Sequence, residues 1–234
     1  MTEEEWLACA DPTPMLEAVG SRASHRKSWL FGCACCRRIW SLLSPASRCA
    51  LELSEQYADG LVGHAELMDA CLRNYQGAEV VGGELVVQCA VATNLAVVDP
   101  ARNGIPSLSV VQAASLTATK VLHILRLAED IARSAGNGQQ SLDVGQEQVI
   151  QAGMLRDVFC NPFRLHSIDP VFRTSTVVGI AQEIYEDRAF DRLPALADTL
   201  QDAGCENEDI LNHCRSDGQH VRGCWVVDLI LGKQ

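Results

Sequence analysis

The sequence predicts an all-α protein, a multi-helix bundle of about nine helices. Three observations predict it. Apolar residues recur at steps of three and four over long segments. Proline, glycine and capping residues stand where those segments start and stop. Neither a sustained period-two alternation nor an internal repeat of fixed length interrupts the pattern.

Taken in order, Asp11-Pro12-Thr13-Pro14 is a helix start, since proline is tolerated in a first turn. A helix is expected from His25 to Leu43, with Trp29, Cys33, Cys36, Trp40 and Leu43 on one face and Ser44-Pro45 ending it. Ala46–Asp59 repeats the pattern through Cys49, Leu53 and Tyr57, and Gly60 stops it. His64–Tyr75 places Leu67, Cys71 and Tyr75 four apart, before a turn at Gly77–Gly83. Leu85–Val98 is apolar nearly all round, and its length and alanine content favour a buried helix over a strand pair. The clearest element runs from Ser107 to about Ser134. There Val111, Ala114, Ala118, Val121, Leu125, Ala128 and Ala132 form a core-facing seam.

Gly136–Ser141 is the one linker-like segment. It divides an N-terminal helical region, residues 1–135, from a C-terminal one, residues 146–234, with 136–145 between them; a single compact domain is the alternative. Gly145–Phe159 reads as a helix. Cys160–Arg173 is irregular because Pro162 and Pro170 forbid regular pairing. Helices follow over Thr174–Arg188, from an Asp191 cap to Ala203, over Asn207–Arg215 and over Val221–Leu231.

Composition narrows the class. A hydrophobic fraction of 47% with 21% charged residues is that of a folded globule. Aromatics make up only 5%, so the core must be aliphatic residues, alanine and cysteine. The net charge of −11 repels phosphate backbones and argues against nucleic-acid binding. No apolar run reaches the ~20 residues a bilayer span needs, and Met1–Trp6 (MTEEEW) does not open a secretory signal. A cytoplasmic protein is expected, in which the eleven cysteines stay reduced.

Those cysteines offer two candidate metal sites. Cys33 and Cys36 share a helix face, with Cys35 beside them, so both sulfurs could touch one ion. Mid-helix they lack the dipole that activates redox pairs, and the alternative is thiols packing a tight helix contact. The second set is Cys205, His213, Cys214, His220 and Cys224. His213 and Cys214 point ~100° apart on a helix. The subset Cys205, Cys214, His220 and Cys224 therefore best supplies four ligands; the alternative is core thiols and surface histidines. Zinc is the candidate ion, and no cofactor is otherwise expected. Glu183, Glu186, Asp187 and Asp191 read as a solvated face paired with Arg188 and Arg192. In the proline-braced segment, Phe163, Arg164 and His166 are binding candidates, with Trp225 from the last helix.

Met1–Trp6, Leu30–Trp40 (LFGCACCRRIW) and Met154–Lys233 carry a family resemblance. Within the last stretch, MLRDVFCNPFR, YEDRAFDRLPALADTLQDAGC and HVRGCWVVDLILGK resemble an uncharacterised paralogous family abundant in planctomycete bacteria. Members carry the same C-terminal block behind other domains, some of them SMI1/KNR4-like proteins. Relatives tend to have glycine at the position of Cys160, and leucine can stand at that of Cys214, which counts against both thiols in a family-wide metal site. The resemblance covers roughly half the chain. It implies a bacterial, cytoplasmic accessory module and assigns no catalytic residue.

The leading expectation is thus a non-enzymatic helical module that binds a protein partner through Phe163, Arg164, His166 and Trp225. Homo-oligomer formation is compatible with the long seam. The rival is a metal protein, zinc or iron, structural or redox, using the cysteine clusters. No nucleotide loop, nucleophile elbow or zincin motif is present to suggest an enzyme.

Overall fold

The computed structural model describes residues 1–20, 23–81, 110–134 and 144–233. These form eleven α-helices and three short 3-10 turns, with no strand among the described residues. The helices are α1 (Glu3–Ala8), α2 (Pro12–Val19), α3 (His25–Arg37), α4 (Pro45–Ala58), α5 (His64–Val81), α6 (Val110–Ser134), α7 (Val144–Phe159), α8 (Ser175–Asp187), α9 (Leu193–Asp202), α10 (Glu208–Arg215) and α11 (Trp225–Leu231). None is long and apolar enough to cross a membrane. The expected helix at Leu85–Val98 and the linker at Gly136–Ser141 lie outside the described residues.

Several boundaries differ from expectation, each for a local reason. Helix α1 is too short for periodicity to reveal. Its signal is a capping box, in which the Glu5 amide donates to Thr2 Oγ1 (3.2 Å) and the Thr2 amide to Glu5 Oε2 (2.8 Å). Helix α3 stops at Arg37, not Leu43, and a 3-10 turn at Trp40–Leu42 follows. Ser44 must be extended to cap α4 ahead of Pro45. The early turn also drives both Ile39 and Leu43 into the core. Helix α5 runs through Gly77, since one glycine costs only about 1 kcal/mol. Asp191 caps nothing: it sits in a 3-10 turn, and α9 begins at Leu193 with Pro194 in its first turn. Helix α11 begins at Trp225 because Gly223 before it takes φ 98°.

Two apolar cores result. The first gathers α1 to α7 around Trp6, Met15, Phe31, Ile39, Leu51, Val121, Ile124 and Leu155. Helix α3 is its axis, buried on every side from Ser28 to Cys36. The α6 seam packs against it through Ala114, Ala118, Val121 and Leu125. The second core joins α8 to α11 around Val177, Ile184, Tyr185, Leu196, Leu200, Trp225 and Ile230.

Charge lies between them. Asp59, with its side chain 1% exposed, accepts from Arg26 (3.1 Å), Arg222 (3.0 Å) and the Tyr185 hydroxyl (2.6 Å). Lys233 lies 3.6 Å away. Arg26 also reaches Asp228 in α11 at 2.6 Å. One carboxylate on the first core thereby meets cations from both, and burial makes each pairing matter more than it would at the surface.

Candidate metal centre

Three local signals bring the site together. Asn207 caps α10 by accepting from the Ile210 amide, which sets the register that turns Ile210, Leu211 and Cys214 inward and His213 sideways. The chain then loops back through His220. Gly223 turns it in a left-handed conformation, and a Cβ there would lie 3.1 Å from Leu30 Cδ1. Only glycine meets both conditions, and it delivers Cys224 to the start of α11. From the other side, α7 presents Asp157 near its C-terminus.

Among the described residues, Asp157, His213, His220 and Cys224 place one ligand atom each within 4.8 Å of one another. Asp157 Oδ1 lies 3.1 Å from His213 Nε2 and 2.7 Å from His220 Nδ1. His213 Nε2 is 3.3 Å from Cys224 Sγ. A tetrahedral zinc with bonds of ~2.0–2.3 Å holds its donors about 3.3–3.8 Å apart, so a small outward shift of these groups would seat one. A second tier fixes their orientation. The Val221 amide donates to Asp157 Oδ2 at 2.8 Å, leaving Oδ1 for the centre. His220 Nε2 faces the Ser216 carbonyl at 3.4 Å, so a proton there leaves Nδ1 as a free lone pair.

The electrostatics fit this reading. Burial opposes charge on Asp157, but its hydrogen bonds to the two imidazoles hold it below the usual carboxylate range. Burial also opposes charge on His220, and the bond and charge of Asp157 overcome it, raising its pKa. The Cys224 thiol is pushed well up, first by burial and then by Asp157. An ion would supply the positive charge that makes this thiol a thiolate. The set is a poor nucleophile relay. In a relay the acid and the thiol use opposite nitrogens of the base, whereas Asp157 and Cys224 both face His213 Nε2.

Of the five residues in the C-terminal set, His213, His220 and Cys224 are in the cluster, although the favoured subset of four left His213 out. Cys205 and Cys214 are buried in the second core beside it. Burial pushes the Cys214 thiol up to about 12. Asp157 was not anticipated, being 56 and 63 residues from its partners. Cys33 and Cys36 are wholly buried in the first core; Cys33 lies 3.2 Å from the Ser54 hydroxyl, and burial raises it to about 11. Arg164, His166 and Trp225 come together in a cleft of about 440 Å³ that also reaches His213. His166 packs on the Trp225 ring, with centroids 4.8 Å apart, and Arg164 bonds Glu3. Phe163 is partly exposed outside that lining. Glu183 does pair with Arg192, at 2.5 Å. Compared with protein-family models, with curated proteins and with solved structures, the chain matches none.

Proposed function

We propose that the chain is a metal-binding helical protein whose C-terminal helices are organised around a zinc-class ion held by Asp157, His213, His220 and Cys224. The convergence of those four donors on one point carries the reading. One sulfur, two imidazoles and one carboxylate suit a borderline ion better than a hard one. Four protein donors complete a tetrahedron, so the role is structural: the ion joins α7 to α10 and α11.

The test is zinc content and cobalt substitution. About one zinc per chain is expected, with a thiolate-to-cobalt charge-transfer band that Cys224→Ser removes. Protein that takes up neither ion, and whose melting temperature ignores both excess zinc and a chelator, sinks the proposal.

A second reading, docking of a protein partner on the Cys160–Arg173 segment, is favoured by one observation. Leu165 is entirely exposed, and Phe163 and Val171 near it are exposed as well. Leu165→Asp should abolish capture of such a partner without altering the fold. Capture that survives the substitution rejects this surface.

A further inference from the structure

A further cavity, of about 250 Å³ and lined in part by His220, lies between the two cores. Leu30, Ala34, Phe190 and Val221 give it apolar walls. Four guanidinium groups line it, from Arg37, Arg38, Arg188 and Arg222, against one lining carboxylate, Glu55. That concentration of positive charge stands out in a chain of net charge −11.

The carboxylates around the cavity hold Arg37 and Arg38 bidentately but leave Arg188 and Arg222 short of partners. Glu55, with its side chain 2% exposed, accepts from Arg37 at 2.7 and 2.8 Å and from Arg188 as well, so one negative charge serves two cations. Among the described residues Glu55 is the one hydrogen-bond partner of Arg188. Arg222 gives Nη2 to Asp59, but its buried Nε has no partner among the described residues. Arg38 is held bidentately by Glu147. The exposed Glu52 is the further carboxylate felt by Arg37 and Arg188. Burial, and after it the neighbouring Arg37 and Arg222, push the Arg188 guanidinium down to about 10. Among the described residues Arg188 is also one of two non-glycine residues with positive φ, at 55°, so its backbone is held in a costly conformation while its side chain enters the cluster.

We propose that this cavity binds a compact, multiply charged anion of the phosphate class, either free phosphate or a small phosphomonoester. Guanidinium forks match phosphate oxygens bidentately, and the apolar walls shield the pairing from water. The ligand would supply the partners that Arg188 and Arg222 lack. The proposal does not rest on the metal reading, because none of the four arginines is a donor of that centre.

Titration calorimetry with inorganic phosphate and with glycerol phosphate tests it, on wild type and on Arg188→Asn. Asparagine suits the left-handed backbone, so the variant removes the guanidinium without adding strain. Saturable one-to-one binding is expected, weakened about tenfold or more by the substitution and further by added salt. Tighter binding of glycerol phosphate identifies a phosphomonoester site; equal or weaker binding identifies a free-phosphate site. Absence of saturable binding by either probe, or unchanged binding in Arg188→Asn, overturns the proposal. Should that variant not fold, the melting temperature of wild type decides. It must rise with phosphate and not with chloride of equal ionic strength.

Discussion

The buried cluster at Asp59 and the buried cluster at Asp157 are built alike and respond to different things. Each has one nearly inaccessible carboxylate that gathers partners from distant helices. Around Asp59 the partners are two arginines, a lysine and a tyrosine. Against the effect of burial, the bond and charge of Asp228 raise Arg26 above its ordinary value, and burial raises Tyr185 to about 12. Around Asp157 the partners are two imidazoles and, through one of them, a thiol, all of which exchange protons or bind metals. The same geometry thus gives a fixed clamp in one place and an adjustable one in the other. What matters is the partner's chemistry, not the depth of burial.

Removing each carboxylate is the strongest way to break the comparison. Asp59→Ala leaves Arg26 and Arg222 buried without their shared partner and should cost about 3–5 kcal/mol in urea denaturation. That loss should be the same with zinc or with a chelator. At a hundred times its dissociation constant, zinc should stabilise wild type by about 2.7 kcal/mol. Asp59→Ala should keep that gain, whereas Asp157→Ala and Cys224→Ser should lose it. A zinc response in Cys224→Ser equal to that of wild type would erase the distinction between the two clusters.

Proton dependence sharpens it further. The folded-state pKa of His220 is raised above its ordinary 6.5, so its stabilisation is complete below that pH and is lost as pH rises through the raised value. That of Asp157 is lowered from 3.8, so its contribution is present above that pH and is lost as pH falls through the lowered value. Metal-free protein should therefore melt lower at about pH 8 than at about pH 6. Zinc-loaded protein should show the opposite slope, because the donors must release protons to bind. A flat profile in metal-free protein would mean that the pair does not share charge. The smallest effect is expected at Arg164, which is exposed and pairs with Glu3 and Asp209 at the surface. Arg164→Ala should leave the melting temperature unchanged. A clear drop would make Arg164 a third clamp of the Asp59 kind.

The long helices were legible because their apolar positions repeat; of the α6 seam, Ala114, Ala118, Val121 and Leu125 are buried in the first core, Ala128 is half-buried, and the side chains of Val111 and Ala132 lie outside the described residues. The short α1 was not, since six residues hold too few turns to show a period. Half of the candidate centre, His220 and Cys224, was in the subset favoured from a local run of histidines and cysteines; His213 was in the run but not in the subset. Asp157 was hidden, because a carboxylate on a helix is ordinary and only the fold brings it to residues more than fifty positions away. The choice of His213 over Cys214 also needed the fold. The two are adjacent and point apart, and the register set by the Asn207 cap sends the thiol to the core and the imidazole to the cluster.

The bond between Arg26 and Asp228 spans 202 residues of sequence. A ribosome adding about 5–20 residues per second makes the second partner roughly 10–40 s after the first. During that interval the first core can begin to form, but Arg26 and Asp59 have not met Asp228, Arg222 or Lys233. The nascent chain must keep its unfinished charged face in water until α11 emerges. The charged contact is thus a late checkpoint in folding, closed only once α11 has been made.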